Sequence, residues 1–291
     1  MKKFIAIISL VLVVSILAFS LAGCGSNPFL RSAVWSDYEV LTYEILEKKA
    51  GEDQKVGQMV VTIQKLQAGQ YKLRDTEKNT FAVGSATMVT KVATDNDGKE
   101  IMYSASLSEN FVPVAGYKKI DYKGNQRITR TRYAKNYYYY SNNDEPEKRT
   151  KIKKGVLDNE NLFEFIRCQE LDRTFNQTLT TVDATTGATE KISIVASGEG
   201  SLAKAFKYND ADNKEQTVVA GKKTHTVVVS KTEAPKGFPI TLQYIQKSEF
   251  NPLVKEGINK TSYYPLVRIE ENDMTYNLIS IKFGKEAAVI E

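Results

Sequence analysis

The sequence predicts a mainly β protein: a large curled antiparallel sheet with one mid-chain helix. Three observations carry this. Apolar alternation with period two recurs along most of the chain, as where Ile101, Tyr103, Ala105 and Leu107 alternate with Met102, Ser104, Ser106 and Ser108. Tight-turn sequences such as Asp95-Asn96-Asp97-Gly98 stand between the alternating segments. The clearest helical spacing of apolar residues is near 158–171. The chain has 291 residues, of which 42% are hydrophobic and 26% charged, a balance that supports a core and excludes wholesale disorder or a polytopic membrane protein.

The first element is a leader. Met1-Lys2-Lys3 is followed by an uncharged run from Phe4 to Leu21, the pattern of an export signal. The run closes in Leu21-Ala22-Gly23-Cys24, which resembles the lipobox of bacterial lipoproteins. The resemblance implies cleavage between Gly23 and Cys24, with the Cys24 thiol carrying a diacylglycerol. An uncleaved membrane anchor is the competing reading of an apolar run of this length, and Cys24 at its end favours lipidation. Residues 1–23 then form the signal peptide, 24–36 the lipidated Cys and a flexible tether, and 37–291 a single β-rich domain. Removing Lys2 and Lys3 leaves a charge of 38 − 35 = +3, too small an excess to mark a nucleic-acid binder.

Strands are predicted near 38–46, 56–66, 79–93, 101–107, 111–122, 126–140, 176–182, 189–197, 216–231, 240–244, 263–271 and 274–283, rich in Val, Ile, Thr and Tyr. Lys123-Gly124-Asn125 and Thr185-Thr186-Gly187 read as two further hairpin tips. In Tyr137 to Tyr140 the pleat sends Tyr137 and Tyr139 to one face and Tyr138 and Tyr140 to the other. The helix over 158–171 has Asp158 as its N-cap and Leu162, Phe163, Phe165 and Ile166 as its apolar residues. Twist accumulates over so many strands, so the sheet is expected to curl, with the helix plugging or covering it. This pattern resembles the unclosed barrel of the lipoprotein carriers LolA and LolB and related exported proteins of unknown function. The likeness rests on the lipobox, the strand meander, the mid-chain helix and the turn Lys236-Gly237-Phe238-Pro239. In those carriers the concave face binds acyl chains.

One His and two Cys exclude zinc sites built from four cysteines, two Cys with two His, or three His. With Cys24 acylated, Cys168 has no disulfide partner and reads as a core residue. His225 lies in an alternating segment with no triad context in sequence. Gly198-Glu199-Gly200-Ser201-Leu202-Ala203 fits G-x-G-x-x-A, but no acidic residue ends the following strand and the chain does not alternate β with α, so a Gly-rich loop is expected. Asp95 to Gly98 and Asn209 to Asn213 fail the spacing of a calcium loop and read as surface turns. Arg127, Arg130, Arg132 and Lys135 lead into the four tyrosines, and Lys148, Arg149, Lys151, Lys153 and Lys154 follow them, a set suited to contact with an anionic surface. The same residues also keep sheet edges soluble.

The sequence therefore points to a membrane-anchored lipoprotein on the extracytoplasmic face. It reads as a non-enzymatic binding or scaffold module holding an acyl chain or other apolar ligand in the concave sheet. The alternative is a structural or partner-binding envelope protein whose concavity is filled by its own helix. A solute-binding lipoprotein would need recurring helices, and a hydrolase would need His225 in a cleft beside a Ser or Asp. No cofactor, metal or nucleic acid is expected.

Overall fold

The computed structural model describes residues 38–74, 80–122, 124–143, 145–152, 155–210, 212–233, 239–250 and 265–284. The signal run, the lipobox with Gly23 and Cys24, the tether, Lys153, Lys154 and Lys236 to Phe238 lie outside them. The strands begin with β1 (Tyr38–Lys49), β2 (Glu52–Leu66), β3 (Gly69–Lys72), β4 (Thr80–Val83), β5 (Ala86–Asp95), β6 (Glu100–Glu109) and β7 (Val112–Tyr122). They continue with β8 (Asn125–Ala134), β9 (Tyr137–Asn142), β10 (Lys148–Lys151) and β11 (Val156–Asp158). A 3-10 turn, Asn159–Asn161, and helix α1, Leu162–Arg167, precede β12 (Asn176–Val182), β13 (Thr189–Ser201), β14 (Phe206–Asn209) and β15 (Glu215–Val218). The last four are β16 (Lys223–Lys231), β17 (Ile240–Ile245), β18 (Leu266–Glu271) and β19 (Met274–Gly284).

Among the described residues seventeen strands form one sheet, and β3–β4 form a separate hairpin. Pairing runs β10-β9-β8-β7-β6-β5-β2-β1-β19-β18-β17-β16-β13-β12-β11, with β14–β15 attached beside β19. The expected curled, unclosed barrel is corrected here: the sheet is neither curled nor closed, and its end strands β10 and β11 do not pair with each other. Twist accumulates into a curl only where every strand adds one more step to a single meander. The chain instead branches, placing β3–β4 in their own sheet and adding β14 in parallel to β19 and β11 in parallel to β12.

Several expected strands are also divided. Residues 126–140 fold as the hairpin β8–β9, with Ala134 opposite Tyr137 across a turn at Lys135-Asn136. Residues 216–231 break before β16 at Gly221, whose φ of 90° needs glycine. The predicted helix shrinks to six residues because Asp158 belongs to β11 and its Oδ1 caps the 3-10 turn by accepting from the Glu160 N–H at 2.9 Å.

The register builds rows across the sheet. One runs Glu39, Ile63, Val89, Ser106, Gly116, Thr131, Tyr140, and the next Leu41, Val61, Lys91, Ser104, Lys118, Thr129. The first row is apolar at Ile63 and Val89 and the second at Leu41 and Val61, and across β6–β8 both carry only Gly, Ser, Thr and Lys. The face carrying these rows is covered by the segment from Asp158 to Arg167, whose Phe165 and Ile166 are fully buried. A second core of Leu66, Leu73, Val83, Met88, Leu107 and Tyr117 gathers with partly buried Tyr71 and Phe81 of the β3–β4 hairpin.

Candidate functional site

The polar halves of the two rows receive the acidic start of the covering segment. Glu160 accepts from Lys118 Nζ at 2.8 Å, Ser104 Oγ at 2.9 Å and Lys91 Nζ at 3.1 Å. Burial opposes its ionisation, but the Lys118 and Lys91 ammonium groups outweigh that and hold its carboxyl well below the usual range. Glu160 in turn raises Lys118, which burial alone would lower. Asn161 Nδ2 donates to Ser106 Oγ at 2.7 Å. Asp158 accepts from the Tyr133 hydroxyl at 2.8 Å, and burial pushes its pKa up to about 6 against the opposing Glu160 N–H.

The basic end of α1 meets acids from outside and inside the helix. Arg167, 1% exposed, donates to Glu39 Oε2 at 3.0 Å and to Glu164 one turn back. Burial raises Glu39 to about 7, with Arg167 opposing only in part. Tyr244 of β17 donates to the Phe163 carbonyl at 3.1 Å, fixing the helix to the far side of the sheet. Chemically this is a buried ionic clasp. Its groups face one another rather than solvent.

His225 lies in a pocket with Leu171, Asp172, Arg173, Ala196, Gly198 and Glu199. The β13–β16 register opposes Glu199 to His225, so the two share a face, and a bulge between Ala196 and Gly198 lets Ala196 line the same pocket as Glu199. Burial lowers the His225 pKa, with Glu199 and Asp172 pulling the other way. Asp172 Oδ1 is engaged by the Thr174 N–H and hydroxyl, which hold its carboxyl below the usual range. Cys168 is buried, as expected of a core residue, and does not line this pocket.

The expected Gly-rich loop at Gly198 to Ala203 is corrected: Gly198 and Gly200 lie within β13, and Gly198 with φ of 137° serves the bulge. The Asp95 to Gly98 and Asp210 turns are closed by their own backbone N–H groups. Among the described residues no group of acidic, His or Cys side chains could hold a metal ion, and no helix is long and apolar enough to cross a membrane.

Of the surface cations singled out from sequence, Lys148, Arg149 and Lys151 form an exposed strand, β10, at the end of the sheet. Tyr138 and Tyr140 are buried and Tyr137 and Tyr139 half-buried, as the pleat predicts. The two buried hydroxyls donate to the Gly187 and Thr185 carbonyls of the β12–β13 turn.

Sequence reasoning missed the clasp. Its signal was present: Lys91 lies between Val89 and Ala93, and Lys118 between Gly116 and Ile120, all at positions of inward parity. A charge at such a position needs a buried partner.

The fold is similar to a solved structure from Brucella abortus, a β-barrel-like protein of the domain of unknown function DUF1849. The TM-score is 0.51 at 9% identity, over 87% of this chain and 100% of the other. At that identity the likeness shows a β-barrel-like fold and nothing of activity. No family model and no curated protein matches the chain.

Proposed function

We propose that the chain is a lipid-anchored extracytoplasmic lipoprotein that acts as a non-enzymatic binding or scaffold module through its outer surface. The β-barrel-like fold supports a binding or scaffold role in general terms. Anchoring rests on the run ending in Leu21-Ala22-Gly23-Cys24. The observation that carries the surface reading is the covering segment: Phe165, Ile166 and Arg167 occupy the space on the row-bearing face at 0–1% exposure. A face packed in this way by its own chain leaves the outside for partners.

The test is expression of the full chain in a bacterium fed a clickable fatty acid, followed by purification and organic extraction. Covalent label on the wild type, its loss in Cys24→Ala, and no co-extracted lipid are expected. An unlabelled wild type overturns the anchor, and a stoichiometric non-covalent fatty acid overturns the filled face.

One observation favours a second reading, a hydrolase. His225 shares its pocket with Asp172, and burial favours the neutral imidazole that a general base needs. Ester hydrolysis by the full chain that disappears in His225→Ala would establish it, and equal rates in both would remove it.

A further inference from the structure

We propose that the outward face of β8, β9 and β10 docks a linear polyanion with phosphates in its backbone and no aromatic bases. This deepens the surface reading above by naming the partner's chemistry. The register sets Arg132, Tyr139 and Arg149 in one cross-strand row and Ala134, Tyr137 and Lys151 in the next. Arg130 lies two residues from Arg132 and shares its face. The opposite parity takes Thr131, Tyr138 and Tyr140 into the protein, where they are buried.

Stacking fixes the cations. The Arg132 guanidinium lies 3.9 Å from the Tyr139 ring centroid and that of Arg149 lies 3.7 Å from Tyr137. A guanidinium held flat on a ring keeps its N–H edges for a forked contact with phosphate oxygens and loses less freedom on binding. Arg130 donates to the Asn143 carbonyl at 3.2 Å, which steadies it. Arg132, Arg149 and Lys151 are exposed. Among the described residues the acid that pairs with a cation of this face is Glu147, 2.9 Å from Arg132. Both members of that pair are about half exposed, so the contact is weak and a polyanion displaces it.

The geometry separates the ligand classes. Positions two apart along a strand are about 7 Å apart and alternate strands about 10 Å apart, so the cations form two short lines that suit a chain. A guanidinium group already covers one face of each of these tyrosine rings, which reduces the stacking platform that single-stranded nucleic acid uses. The exposed large apolar side chains among the described residues are Val112 and Val219, neither on these strands, so the face lacks the wedge that interfacial membrane binding draws on.

The test uses the full chain in zwitterionic nanodiscs and fluorescent long-chain inorganic polyphosphate, read by anisotropy. Binding is expected to weaken with salt with a log–log slope of about −3, from roughly four cations neutralised. The pair Arg132→Glu with Arg149→Glu is expected to weaken it at least ~10-fold. The charge-matched pair Lys55→Glu with Lys72→Glu, both exposed, is expected to leave it within about twofold. Circular dichroism confirms that each variant is folded. No binding by the wild type, or equal loss in both double variants, overturns the proposal. An oligonucleotide binding as tightly as polyphosphate, or polyphosphate excluded when the nanodiscs are anionic, also overturns it in favour of nucleic acid or a bilayer. Cys24→Ala in detergent is expected to bind polyphosphate normally, so failure of the anchor and failure of this face are read separately.

Discussion

Replacing Glu160 with Gln removes a charge while keeping the shape, and the structure sets what that costs. The side chain meets two ammonium groups, at 2.8 and 3.1 Å, and one hydroxyl at 2.9 Å. Side-chain exposure is 8% for Glu160, 10% for Lys91 and 14% for Lys118, so water screens none of them well. Removing one partner from a buried ion pair costs about 3–5 kcal/mol, because the charge left behind has lost its hydration and gained nothing. The variant is therefore expected to lose about 3–5 kcal/mol in urea unfolding at pH 7, a shift of the midpoint by roughly 1–2 M. Replacing all three residues by apolar ones of similar size, Glu160→Leu with Lys91→Met and Lys118→Met, is expected to recover most of that loss. A loss below about 1 kcal/mol in Glu160→Gln, or no recovery in the triple variant, would refute the claim that uncompensated charge sets the cost.

Glu39 gives a pH dependence of defined sign. Its folded pKa, about 7, lies above its ordinary 4.5, so its stabilising effect is complete below pH 4.5 and is lost as pH rises through 7. The loss amounts to about 3 kcal/mol, with Asp158 adding a smaller part that is complete by about pH 6–7, and Glu39→Gln should flatten the upper part of the urea-stability profile. Glu160 acts oppositely, contributing above the ordinary carboxylate range and losing its effect only in strong acid. Gly187→Ala should cost at least about 1–3 kcal/mol, since φ is 68° and a Cβ would stand 2.4 Å from Tyr140 Cγ; thermal unfolding checks it. Cys168, 2% exposed, should react with a maleimide only in denaturant, as mass spectrometry will show.

How far the fold was legible depended on whether period two was interrupted by a recognisable turn. Asp95 to Gly98 announced the β5–β6 hairpin because its glycine takes φ of 79°, whereas Lys135-Asn136 has no such mark and a run of tyrosines stays strand-like on both sides. The short strands β10, β11 and β14 were invisible, since three or four residues are too few to show alternation and their positions come from partners far along the chain. The helix was legible in its apolar residues but not in its length, because what ends it at Arg167 is the burial of that guanidinium against Glu39, 128 residues away.

The polarity of the covered face favours a role for the outer surface over one for the interior. A face meant for a loosely held apolar guest would need to stay apolar and unfilled, and the rows across β5–β8 instead become polar where the 3-10 turn arrives. Lys91, Ser104, Ser106 and Lys118 bind Glu160 and Asn161, so any guest there would first have to expel a segment held by two buried ion pairs and by the apolar anchors Phe165 and Ile166. Displacing it would leave those ammonium groups against a ligand with no acceptor, a cost of several kcal/mol that an acyl chain cannot offset at that position. The outward cations of β8 and β10 carry no such penalty, because they are already solvated and held by stacking. What the sequence spread over Arg130 to Lys151 becomes a single face only through the β8–β9–β10 register, and it is there that a partner meets groups ordered in advance.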